Sequence, residues 1–314
     1  MERECFGYDE KWRNIIMETQ KLDYNDKDQA LEILKRFKKK YLHNNIEELK
    51  DFSFWYILTD EEFNGVSFDG NKFDGDRTRI VYAIDKLLYD EKKIPNFTLG
   101  PKGNYTGDTI NTFRTLFGNR FIFQGKKNCE EIIEDKFNFD DELKKKKNNF
   151  FWTYQTIGNF YLLPNATIVY ENSRKASEKD QSINKYRGTV SNWKDYFDVF
   201  LSKFEKCLDS TIELKEDEVF LKRLIQTGKN QQFFYSYCEG KLKNFLSVFY
   251  LENYSPNLFA HEKDYYYGLS KYRSADTTSY KNFASDYITK ATNLINNRST
   301  RIIKELLAQY PELK

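Results

Sequence analysis

The sequence predicts an α+β fold that is predominantly helical, with a small sheet in the N-terminal and middle part and a helical C-terminal part. Three observations lead there. Apolar residues recur at helical spacing along most of the chain, and one short apolar run, Phe160 to Pro164, is bounded by breakers in the manner of a strand. Aromatic residues make up 17% of the 314, so the modest 39% hydrophobic share still supplies enough area for a core. With only 14 Gly and 5 Pro, collagen-like and long flexible-linker architectures are excluded. The expected organisation is a mixed part over residues 1–170, an exposed connecting loop over 171–189 and a helical part over 190–314, either as separate units or as one compact domain. No repeat at solenoid periods is present.

The first helix is signed by Ala30, Leu34, Phe37 and Tyr41, with Asp26 as N-cap and Gln29 at the capping-box position. The aromatic run around Phe52 to Tyr56 is short, and Asn64-Gly65, Asp69-Gly70 and Asp74-Gly75 follow as turn signals, so this stretch reads as loop or hairpin. Ile80, Ile84, Leu87 and Leu88 mark a second helix. After the breakers Pro95, Gly100, Pro101, Gly103 and Gly107, Asp108 reads as the N-cap of a short helix carrying Ile110, Phe113 and Phe117, closed by Gly118.

Arg120 to Gln124 alternates as a strand, and Cys129 to Asp135 and Asp140 to Asn148 read as charged helices. Phe160 to Pro164 and Ala166 to Tyr170 read as two strands bent at Pro164-Asn165. Beyond the polar loop, Trp193, Phe197, Phe200, Phe204 and Cys207 hold a helical period, and Val219 to Ile225 continues it. Phe233 to Tyr250 reads as a helix with Gly240 inside it. Tyr280 to Leu294 reads as another helix, and Ile302 to Tyr310 closes the chain before Pro311.

Net charge is only +2, from 50 Lys and Arg against 48 Asp and Glu, so any charge-driven function must be local. Cys5, Cys129, Cys207 and Cys238 are widely spaced, which argues for reduced thiols and against a zinc site or disulfide scaffold. No apolar run approaches the length of a bilayer span, and a cytoplasmic protein is expected. With His43 and His261 as the only histidines, a multi-histidine metal centre is excluded. Arg36 and His43 form Arg-x6-His, the outer limit of the Arg-x4–6-His spacing of helical ribonucleases, but read as surface residues of a Lys-rich helix. Asp69 to Asp76 is acidic but fails the EF-hand template, because Phe73 takes a ligand position and Gly75 falls one place late. Pro101 to Gly107 is a loose analogue of a phosphate-binding loop, and no cofactor is expected.

Polar residues embedded in apolar sequence single out a cluster of Asp108, Asn111, Arg114, Asn159, Tyr186 and Arg187, expected to converge around Gly158 as a ligand site or a structural network. The motifs Gly-Asp-Thr-x-Asn-x-Phe from Gly107, Thr-Ile-Gly-Asn-Phe with Leu-Pro-Asn from Thr156, and Asn-x-Tyr-Arg-Gly from Asn184 together resemble an uncharacterised bacterial family, a domain of unknown function, over about the middle third of the chain. That resemblance implies a bacterial or phage origin and marks Asp108, Asn111, Asn159, Tyr186 and Arg187 without supplying a mechanism. Near the C-terminus, Lys241, Lys243, Tyr266, Lys271, Tyr272 and Arg273 interleave cations with rings that stack on unpaired bases. The function expected is binding of RNA, single-stranded DNA or a nucleoprotein, in phage defence or counter-defence. The alternatives are a metal-assisted phosphoryl hydrolase using Asp74, Asp76 or Asp108 with Arg114 or Arg187, and a protein-protein interaction module.

Overall fold

The computed structural model describes residues 21–64, 75–89, 94, 97–100, 103–112, 134–135, 137–164, 197–209, 211–215, 218–219, 222, 239, 241–256, 258–259 and 276–314. Six helices and one two-stranded sheet have defined bounds among them: α1 Lys27–Tyr41, α2 Arg79–Leu88, β1 Tyr105–Thr109, α3 Asp141–Thr153, β2 Phe160–Pro164, α4 Phe197–Leu208, α5 Leu242–Val248 and α6 Thr277–Gln309. The fold is α+β and mainly helical. None of the described helices is long and apolar enough to cross a membrane.

Helix α1 begins where its capping residues place it. The Asp26 carboxylate accepts from Gln29 N, while the Gln29 side chain reaches back one turn further than a capping box requires, to Asp23 N at 2.8 Å. Its buried stripe of Ala30, Ile33, Leu34 and Phe37 packs on α2, nearly all of whose residues are buried. The helix stops at Tyr41, and His43 and Asn44 follow with positive φ, so Arg36 and His43 do not share a helix. Each pairs elsewhere, Arg36 with Glu32 at 2.9 Å and His43 with Glu48 at 2.9 Å.

Residues 105–109 correct the sequence reading. They form strand β1, antiparallel to β2, in the register Tyr105↔Pro164, Gly107↔Leu162 and Thr109↔Phe160. Asp108 therefore lies within a strand opposite Tyr161 and caps no helix, and Pro101 to Gly107 leads into no helix N-terminus. The reason is tertiary. Gly107 lets the 3-10 turn Gly75–Arg77 lie against the strand, since a Cβ there would stand 1.9 Å from the Asp76 carbonyl oxygen. Phe160 to Pro164 is a strand as its composition predicts, but its partner is β1; residues 166–170, like Arg120 to Gln124, lie outside the described residues.

Helix α6 also departs from expectation. The predicted helix from Tyr280 and the closing segment from Ile302 are one helix of 33 residues, about 50 Å long. Its buried stripe runs Tyr280, Phe283, Tyr287, Ala291 and Ile295, then Arg298 and Ser299, then Ile302 and Leu306. The lapse in hydrophobicity that divides the sequence pattern is a buried polar contact. Gly158 N donates to Ser299 Oγ at 3.0 Å, and the Arg298 guanidinium donates to the carbonyls of Gly158 at 2.9 Å, Phe249 at 3.0 Å and Phe160. A Cβ at Gly158 would stand 2.0 Å from the Ile295 carbonyl oxygen, so the absence of a side chain there is what allows the approach.

The N-terminal half of α6 packs with Phe137, Phe139, Leu143, Phe150 and Phe259, and its C-terminal half joins the larger core built on α1, α2, α4 and α5. That core draws residues from Ala30 through Leu313, so the described portions of the mixed and helical parts share it. Helix α5 begins at Leu242, after Glu239 at positive φ, instead of running unbroken through Gly240. The Cys207 thiol is buried and donates to the Glu218 carbonyl at 3.3 Å.

Phe197 and Phe200 are buried and contact Tyr161, Tyr254 and Phe204 through their rings. Phe197→Ala and Phe200→Ala are each expected to lower the unfolding free energy by roughly 3–5 kcal/mol, read from denaturant midpoints. Asp85 gives the fold a pH signature. Burial pushes its carboxyl up to about 8, against the opposing charge of Arg298. Its unfolded-state value is near 4, so between about pH 4 and pH 8 the unfolded chain releases a proton that the folded chain keeps, and stability falls as pH rises. Asp85→Asn is expected to flatten that decline and to raise the melting temperature at pH 8 more than at pH 4.

Candidate nucleic-acid interface

The residues expected to make one polar cluster divide between a buried network and the undescribed segments. Asn159 is fully buried and its amide is saturated. Its Oδ1 accepts from Asn111 N at 2.8 Å and Asn111 Nδ2 at 3.1 Å, and its Nδ2 donates to the carbonyls of Asn111 at 2.8 Å and Tyr154 at 2.7 Å. Asn111 Nδ2 also donates to the Tyr254 hydroxyl at 2.7 Å. Two side chains thus prolong the β1–β2 ladder, whose backbone ends with Ile110 N donating to Asn159 O at 2.8 Å. A buried amide with its donors and acceptors satisfied in this way leaves nothing to offer a ligand.

Asp108 is half-buried on the sheet, and its Oδ1 accepts from Thr109 N. It does not bond to Asn111 or Asn159 in the described set. Arg114, Tyr186 and Arg187 lie outside the described residues, as do Asp74, Tyr266, Lys271, Tyr272, Arg273 and His261. Of the basic residues expected to meet nucleic acid, Lys241 and Lys243 are exposed beside and in α5, and Lys241 Nζ lies 4.0 Å from the Glu239 carboxylate.

The open aromatic surface is elsewhere. Phe54-Trp55-Tyr56-Ile57 forms a single 3-10 turn. With three residues per turn, positions 54 and 57 eclipse, and Phe54 and Ile57 are indeed buried while Trp55 and Tyr56 face outward. Beside it runs α3, started by Asp140, whose carboxylate accepts from Leu143 N. Its inner face is Leu143, Lys147 and Phe150, which leaves Trp152 on an exposed ridge with Lys145, Asn148 and Asn149.

The two segments are tied by a backbone bond from Phe54 N to Gln155 O at 2.8 Å and by Trp55 Nε1 donating to Phe151 O at 3.1 Å. Two parallel ring stacks result. Trp55 lies on Phe151 at 5.5 Å and 13°, half-buried, and outside it Tyr56 lies on Trp152 at 5.2 Å and 11°. Tyr56 is 63% exposed and Trp152 45%, although large aromatic side chains usually bury their area.

The charge beside this stack is positive on one side. Lys144 and Lys145 form no ion pair among the described residues, whereas Lys146 pairs with Glu142 at 3.0 Å and the buried Lys147 with Glu134. Seven residues separate Lys145 from Trp152, or about 10 Å along the helix. The sequence contained a signal for this surface: four lysines lead through two asparagines into Phe150-Phe151-Trp152. What it could not show is that the Phe54 to Ile57 turn delivers Tyr56 onto Trp152 from almost a hundred residues away.

Asn159→Ala is expected to cost more than about 3 kcal/mol in denaturant unfolding, because it strands several buried partners at once. Asn159→Asp should not restore it, since a carboxylate cannot donate to the carbonyls of Asn111 and Tyr154. No protein-family model matches this chain, and no curated protein or solved structure is similar to it.

Proposed function

We propose that this chain binds single-stranded nucleic acid, through the exposed Tyr56–Trp152 stack and the lysine ridge of α3. The observation that carries the reading is the stack itself: two large rings held parallel and open to solvent, with Lys145 on the same helix ridge. Unpaired bases offer π-faces to such rings whatever their identity, and lysines neutralise the phosphates between them. The near-zero net charge agrees with a small local footprint instead of a coated surface. Stacking on rings that are already ordered loses less conformational freedom than stacking on mobile ones, and the bonds from Phe54 and Trp55 supply that order.

The test is an anisotropy titration of unstructured RNA and DNA oligonucleotides against the full chain at low salt. Affinity is expected to fall steeply with salt. Tyr56→Ala and Trp152→Ala should each lose roughly 1–3 kcal/mol of binding, with thermal midpoints close to wild type because both side chains are exposed. Lys145→Ala should weaken RNA and DNA alike and reduce the salt slope by about one. Binding that survives both aromatic substitutions would move the interface elsewhere. No binding to either nucleic acid at low salt would end the reading and leave the surface to a protein partner.

A further inference from the structure

Among the described residues, no other ring extends the parallel Tyr56–Trp152 pair. Phe52 lies beside Tyr56 at 5.9 Å but is tilted by 58°, and Phe151 meets Trp152 edge-on at 5.4 Å and 81°. A parallel pair has two outer faces, so it takes at most one base on each. The cations nearest the pair are as few. Lys144 and Lys145 lead along α3 through the exposed amides of Asn148 and Asn149 to Trp152, and neither lysine is in an ion pair among the described residues. The roughly 10 Å from Lys145 to Trp152 holds about three phosphates at the stacked spacing of about 3.4 Å per nucleotide.

Both ends of this strip meet carboxylates. One turn before Lys145 stands Asp141, exposed and without an ion pair among the described residues, between Asp140 and Glu142, which pair with Lys281 and Lys146 at 3.0 Å each. At the other end the chain leaves the Phe54–Ile57 turn into Asp60-Glu61-Glu62, with Asp60 N donating to Ile57 O at 3.0 Å. The Asp60 carboxylate accepts from the Tyr41 hydroxyl, and the Tyr41 ring lies 5.7 Å from that of Phe52, so the acidic segment is two rings away from Tyr56. Lys40 offsets Asp60 at 2.7 Å, and Arg36, shared with Glu32, reaches Glu62 at 3.8 Å. Glu61 is left exposed and without an ion pair among the described residues. A phosphate moved past either end of the strip meets like charge at close range.

Given nucleic-acid binding at this stack, on which the inference rests, we infer that the surface recognises a short unpaired stretch and not a long single strand: about three nucleotides, two of their bases on Tyr56 and Trp152 and their phosphates beside Lys144 and Lys145. The rings limit the bases, the lysines limit the phosphates, and the carboxylates at each end keep the strand from running on.

Labelled oligothymidylates of about four and about sixteen nucleotides, the range of site sizes in OB-fold single-strand binders, test this by anisotropy titration against the full chain. The longer is expected to bind less than about tenfold more tightly than the shorter, a gain from the extra positions it offers and not from new contacts. Two phosphates neutralised on a single strand give a log–log salt slope of about −1.4, a loss of about 25-fold for each tenfold rise in salt. Glu61→Lys, at an exposed position, should tighten the longer oligonucleotide by about threefold or more and leave the shorter within about twofold. A longer oligonucleotide bound about a hundredfold more tightly than the shorter, a slope steeper than about −3, or no effect of Glu61→Lys on the longer would overturn the short footprint while nucleic-acid binding stood. Failure of both oligonucleotides to bind at low salt is a different result, which ends binding at the stack and the footprint with it.

Discussion

One guanidinium organises the centre of this molecule. Arg298 brings a permanent positive charge into the interior of α6 and spreads it over carbonyls that belong to β2, to the turn before it and to the segment after α5. A buried charge needs dense hydrogen bonding, and a planar fork with five donors answers to backbone oxygens on more than one side, which a lysine ammonium cannot do in the same geometry. Everything in the middle of the fold is then placed from β2. β1 pairs with it, the Gly75–Arg77 turn lies under β1, and the Asn111–Asn159 pair closes the end of the ladder.

The same contact explains where sequence reading succeeded and where it stopped. Helix α1, whose apolar stripe is uninterrupted, was legible with its cap at Asp26, where the carboxylate accepts from Gln29 N. Helix α6 was not legible as one element, because Arg298 and Ser299 stand where periodicity demands apolar residues, and their partners lie far away in sequence. Residues 105–109 failed for a related reason. Local chemistry marks Asp108 as a cap, but the segment is claimed by a strand more than fifty positions later, and Gly107 serves close packing instead of a turn. Tertiary demand overrides local preference at both places.

Part of the polar cluster was visible in advance. Asn111 and Asn159 stood out because amides in apolar sequence must be satisfied, and each satisfies the other. Their chemistry could not say whether the satisfied partner would be protein or ligand; burial decides it. The aromatic surface was harder to read. Phe, Tyr and Trp are so common in this chain that a ring carries no presumption of exposure, and among the described residues most of them are buried. Tyr56 and Trp152 differ from the rest only in which side of a 3-10 turn and of α3 they occupy. That distinction is one of geometry and not of composition.

A kinetic consequence follows from the Arg298 contact. The bonds from Arg298 to Gly158 and Phe160 join positions 140 and 138 residues apart, and those from Asn111 to Asn159 and Tyr254 bridge 48 and 143. Closing such loops costs entropy before any contact rewards it, and folding slows as the average separation of contacting residues grows. The helices of this chain form from local sequence, but the order among them waits on distant partners meeting. Long-range bonds of this kind raise the average separation of contacting residues, so this mainly helical protein is expected to fold more slowly than a helical bundle held by local contacts alone.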